Sequence, residues 1–176
     1  GMDVELLHVH EEEKIRPWAG APAGDGSWEI VEHLGYSAER LQISEIHGTG
    51  IDVQSMAFTL VDSRQPQEGF FWLGYDDVAK VIWNGETIYT DLEPRGFHLA
   101  DVQIPIRLVQ GENRLLLKVG NRAGRSVASA HIVDVDGDRL PGIAFRLPGE
   151  IPTAIEEAAD GPRPQQSALA SVYPNP

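Results

Sequence analysis

Between Met2 and Leu147 the chain is built from short apolar and β-branched runs, each cut off by Gly, Asp or Asn within a few residues. Helical periodicity is weak throughout, so the pattern confines this stretch to an antiparallel all-β fold. The clearest runs are Val4–Val9, Trp28–Val31, Leu41–Ile46, Val53–Val61, Phe70–Leu73, Val78–Trp83, Thr87–Tyr89, Val102–Leu108, Arg114–Val119, Ser126–Val133 and Ile143–Leu147. Asn84-Gly85 is a two-residue hairpin signal, because both positions tolerate the positive φ of a type I′ turn. Gly111-Glu112-Asn113 and Asp136-Gly137 read as further tight reversals.

Alternation within the runs predicts what is buried. Leu115, Leu117 and Val119 share one face of their strand, while Leu116 and Lys118 share the other. Val78–Trp83 is apolar on both faces apart from Lys80, which predicts a strand covered on both sides, with Trp83 in the core. A chain of 176 residues with 41% hydrophobic content supports one good core. The expected organisation is a β-sandwich over residues 1–148, then a short helix and linker over 149–176, where Thr153 and Glu156 fit a capping box and Gly161-Pro162 a stop.

Charge and residue usage exclude several functions. The net charge of -13, from 27 acidic and 14 basic residues spread along the chain, disfavours nucleic acid, anionic membranes and polyuronates. With no cysteine, disulfides, thiolate zinc sites and cysteine nucleophiles are ruled out. No run is long and apolar enough for membrane insertion, and the start lacks a signal-peptide pattern; Gly1 reads as a tag remnant. There is no nucleophile elbow, His-Glu-x-x-His, phosphate loop or dinucleotide fingerprint, so the chain is expected to be non-catalytic.

The stretch "FFWLGYDDVAKVIWNGETIY", followed by "FHLADVQIPIRLVQGENRLLLKVGNRAG", resembles the sugar-binding domain of family 2 glycoside hydrolases, a jelly roll of the galactose-binding-like superfamily. The matching positions are Asp76, Asp77, Trp83, Asn84, Gly85, Phe97, Asp101, Val102, Leu108, Gly111, Asn113, Leu115, Leu117 and Val119, and the likeness spans roughly Gln54 to Phe145. It implies a jelly-roll sandwich with weak carbohydrate binding through loops at one end, or a spacer supporting a catalytic neighbour. At the other extreme, "ALASVYPNP" resembles the opening of C-terminal sorting domains of secreted proteins from Bacteroidetes-type bacteria. That resemblance implies a secreted or cell-surface multidomain protein whose partners include other domains of the same polypeptide.

The candidate site residues follow from this reading. Sugar modules stack a pyranose on an exposed ring and bond its hydroxyls with polar side chains. Trp18 or Tyr36 is the expected stacker, with Asp76, Asn84 or Arg95 as polar partners to a neutral carbohydrate; Tyr89, Phe97 and His98 also lie near predicted turns. Asp76-Asp77 resembles a calcium-holding pair in adhesion modules of the anthrax-protective-antigen type, which makes Asp76 and Asp77 candidate calcium ligands. Adjacent side chains in an extended chain point to opposite faces, so the pair needs a bent or cis peptide to act together. The plainer role is that Asp77 accepts loop amides and braces a corner while Asp76 faces water. "DVDGD", Asp134 to Asp138, fails the EF-hand spacing and reads as a turn. His8 and His10, on one strand face beside Glu11, Glu12 and Glu13, lack a third zinc ligand.

Overall fold

The computed structural model describes residues 11, 15–23, 26–32, 40–50, 53–151 and 168–172. In chain order these form β1 (Pro22–Ala23), β2 (Gly26–Glu32), α1 (Ile43–His47), β3 (Val53–Ser63), β4 (Gln67–Trp83), β5 (Glu86–Arg95), β6 (Val102–Leu108), β7 (Gly111–Asn121), β8 (Val127–Val133), β9 (Ile143–Arg146) and β10 (Ala168–Val172). Every strand pairing is antiparallel, and the strands pack as a β-sandwich.

β4 builds both layers. Its first part, Gln67 to Asp76, pairs with β6 and β8 to make the smaller sheet. Its second part, Val78 to Trp83, pairs with β7 and β5 in the larger sheet, whose order is β2-β10-β3-β7-β4-β5. Strands that pass between sheets turn the corner through a local irregularity. Here the corner is Asp76-Asp77, and the peptide between them is cis.

The alternation expected from the sequence is what fills the core. Leu115, Leu117 and Val119 meet Phe71, Leu73 and Tyr75 from the smaller sheet, with Ala79, Val81 and Trp83 beside them. The outer face of the larger sheet is also covered, as the two-sided apolarity of Val78–Trp83 predicts. Ala21, Ala23 and Trp28 pack there on Met56, Phe58, Leu60, Ile82 and Leu116. Trp28 meets Phe58 edge-on at 6.4 Å between ring centroids, a geometry that adds about 0.5–1.5 kcal/mol beyond the area buried.

The second layer explains an unusual cross-strand pair. Lys80 and Lys118 are direct partners in the β4–β7 register, and both are buried. Glu11 lies over them: Lys80 Nζ donates to both its carboxylate oxygens at 2.7 Å, and Lys118 Nζ donates to Oε1 at 2.9 Å. Burial alone would raise the Glu11 carboxyl, but the bonds from Lys80 and Lys118 hold it below its ordinary value.

Four expectations need correction or extension. Leu41–Ile46 is not a strand: Leu41 makes only an isolated bridge to Ala128, and Ile43–His47 is helical. Phe70–Leu73 and Val78–Trp83 are one continuous β4. β5 runs on to Arg95 through Pro94, which an edge strand accepts because one side makes no ladder bonds. Ala168–Val172, expected within the linker, forms β10 between β2 and β3. The predicted helix around Thr153, and the run Val4–Val9, lie outside the described residues.

Candidate functional site

The corner of β4 lies at one end of the sandwich, and three other segments meet it there. Gly74 makes the approach of the first one feasible. A Cβ at this position would sit 2.3 Å from the His98 carbonyl oxygen and 2.6 Å from Ser129 Oγ, so only a glycine lets the 96–101 loop lie against the strand. In that loop Ala100 takes φ 53, a conformation that favours glycine. The Phe97 ring is covered by the Arg40 guanidinium at 5.0 Å, which ties the segment before α1 to the same rim. The β7–β8 connection closes the third side, with Ser126 Oγ donating to the Asp76 carbonyl at 3.3 Å.

Asp77 is a brace. Its Oδ2 accepts the Arg122 amide at 2.6 Å and the Ala123 amide at 3.4 Å, pinning the start of that connection. Asp76 is half-buried, and its carboxyl is in hydrogen-bond contact with that of Asp77. Burial, that hydrogen bond and the neighbouring charge together push Asp76 up to about 6.

Beside them lies a polar array between the layers. Tyr75, fully buried, donates its hydroxyl to Asp91 Oδ2 at 2.5 Å and shares a 2.7 Å bond with Tyr89. Burial first, and then those two bonds, push Tyr75 far above the ordinary tyrosine range, so it stays a neutral donor. The Tyr75 bond in turn holds Asp91 below its usual range. Arg95 stacks over the Tyr75 ring at 5.0 Å and pairs with Asp101. Asp77 and Arg95 face each other in the β4–β5 register, so this array and the acidic corner share one end of the sandwich.

The structure thus divides the expected site. Asp76, Asp77 and Arg95 come together. Asn84 does not: it lies at the other end of the β4–β5 hairpin, roughly 20 Å away at strand rise. Its φ of 51, with 85 at Gly85, makes the predicted turn. Its side chain is spent there, Nδ2 donating to Asn113 at 3.0 Å and Oδ1 accepting the Arg114 amide at 2.8 Å. Trp18 is 67% exposed but belongs to the segment covering the larger sheet, where nearby Arg16 reaches Glu112 at 2.6 Å. Glu112 lies at the start of β7, at the Asn84 end. Tyr36, His8 and His10 lie outside the described residues. Asp134–Asp138 is a turn: Asp134 Oδ1 accepts the amides of Asp136 and Asp138, both at 2.9 Å.

Sequence reasoning missed Arg40 and the role of Asp91. Arg40 has no signal in the chain, whereas Asp101 stood among the positions matching the family 2 resemblance, without its partner. Among the described residues no group of three or more His, Asp or Glu is placed to hold a metal ion.

The titration of Asp76 has a measurable consequence. Because its folded value is raised, the protonated carboxyl contributes stability in full below pH 3.8 and loses it as pH rises through about 6. Asp76→Asn is expected to be more stable than wild type at pH 8 by about 1–2 kcal/mol, allowing for screening at a partly exposed group. Urea unfolding at pH 8 and at pH 4 should show that gain shrinking in acid. An equal gain at both would mean that the charge is not its source.

No family model matches the chain, and neither the curated proteins nor the solved structures contain a match to it.

Proposed function

We propose that this chain is a non-catalytic accessory module of a secreted multidomain protein, with a galactose-binding-like jelly-roll fold, that binds neutral carbohydrate at the Asp76–Arg95 rim. The observation that carries the reading is the meeting of Asp76, Arg95 and Asp101 with half-buried Phe97 and exposed His98 and Leu99 at one end of the sandwich. Fixed donors and acceptors beside exposed apolar side chains are what a sugar's hydroxyls and carbon framework require. The charge of -13 favours neutral over acidic glycans. A shallow rim gives affinities of roughly micromolar to millimolar.

A spacer supporting a neighbouring catalytic domain is the rival, and one observation favours it: Asp77 and Asn84 are both spent on bracing the fold. Calorimetric titration against a panel of neutral oligosaccharides separates the two. The binding reading expects one sugar class to bind, with at least tenfold loss in Arg95→Ala and Asp76→Asn and none in Trp18→Ala. Silence across the panel from a folded wild type supports the spacer. Calcium joins the reading as a ligand of Asp76 and Asp77; a calcium-dependent rise in Tm that Asp76→Asn abolishes is the expected sign, and no rise removes calcium from it.

A further inference from the structure

β10 is inserted into the larger sheet and not appended to it. It pairs with β2 from Ala168 opposite Glu32 to Val172 opposite Trp28, and with β3 from Ala170 opposite Phe58 to Val172 opposite Met56. β9 takes the next stretch of the same β3 edge, Leu60 to Ser63. Among the described residues β2 otherwise pairs only with β1, so β10 is the ladder through which that hairpin joins the sheet. Without it the slot is two strand spacings wide, about 9–10 Å, and both edges carry unpaired backbone groups, which templates the pairing of another strand.

The strand that fills this slot is five residues long, Ala-Leu-Ala-Ser-Val. It is separated from β9 by the 21 residues from Leu147 to Ser167, with prolines at 148, 152, 162 and 164. Fully extended, that tether reaches on the order of 70 Å. Backbone pairing supplies the fit, so the slot presents the same ladder to its own β10 as to one from another copy. Exchange of an identical element costs little, because the contacts in the closed and swapped forms are the same.

We infer that the slot between β2 and β3 is a strand-exchange site, and that two copies of this chain swap β10 reciprocally to form a dimer. The closed monomer is favoured only by the effective concentration that the covalent tether gives β10, of millimolar order for linked elements. The dimer therefore forms when protein is concentrated to millimolar levels or refolded at high concentration.

The chain has no cysteine, so a pair can be placed across the ladder and read without background. Ser171 faces Ala57, and the double variant Ala57→Cys with Ser171→Cys reports where β10 lies. Met56→Cys with Val172→Cys, the neighbouring pair, serves as a second reporter should the first perturb folding. The full-length variant is refolded at low and high concentration, fractionated, oxidised and run on a non-reducing gel. The expected result is an internally linked monomer from the dilute sample and a covalently linked dimer from the dimer fraction of the concentrated one. Three results would overturn the inference: monomer alone at every concentration, a dimer fraction whose disulfides are internal, or no crosslink in either variant.

Discussion

Asn113→Ala is expected to lower stability by about 3–5 kcal/mol, near the top of the range for a single substitution. Asn113 is fully buried at the β6–β7 turn. Its Nδ2 lies within bonding distance of the carbonyls of Val61 (3.2 Å), Val109 (3.0 Å) and Gly111 (3.2 Å). Its Oδ1 accepts the Val109 amide at 2.9 Å and Asn84 Nδ2 at 3.0 Å. Truncation leaves several of these groups without their partner, and each buried orphan costs about 1–3 kcal/mol. The two turns at this end of the sandwich then lose their common tie. Urea titration with an unchanged slope and a lowered midpoint is the expected reading, and Asn113→Asp, which keeps the acceptors and loses the donors, should not restore it. A loss under 1 kcal/mol would mean that water replaces the amide.

The second large effect is at Glu11. Removing its carboxylate leaves the directly paired Lys80 and Lys118 without the anion that bonds both. Breaking a fully buried ion pair costs about 3–5 kcal/mol, and a partly exposed Glu11 places the expected loss for Glu11→Ala at about 2 kcal/mol. The pH dependence has a definite sign. A carboxyl whose folded value is depressed contributes stability above its ordinary value of 4.5 and loses it as pH falls through the lower folded value. The gap between wild type and Glu11→Ala should therefore be full at pH 7 and close in strong acid. Adding Lys80→Met to Glu11→Ala should recover part of the loss, because it removes one of the two facing cations. If the double variant is no better than the single, the lysines are not the origin of the cost.

The architecture was legible in the chain because it rests on local chemistry. Period-two alternation names the face carrying Leu115, Leu117 and Val119, and positive φ selects Asn84-Gly85. The doubly apolar Val78–Trp83 announces an extra layer before the identity of that layer can be known. Leu41–Ile46 misled because a short apolar run fits either a strand or a buried helical turn. β10 escaped because its strand character comes from β2 and β3, more than a hundred residues earlier, and not from Ala-Leu-Ala-Ser-Val itself.

The site was legible only in part, for a related reason. Asp76, Asp77 and Arg95 are drawn together by one hairpin register, but which loops close over that corner depends on contacts such as Gly74 with His98 and Arg40 with Phe97. Those are long-range and leave no local pattern. Asn84 illustrates the opposite failure: a residue that stood out in the sequence did so because a turn needs it.

The most direct test of the account is an amide NMR titration of the folded wild type with neutral oligosaccharides. The account predicts concentration-dependent shifts confined to Gly74–Asp77, Arg95–Asp101 and the β7–β8 connection. Shifts clustered instead around Trp18 and the Asn84 turn, or none from any sugar at millimolar concentration, would contradict it.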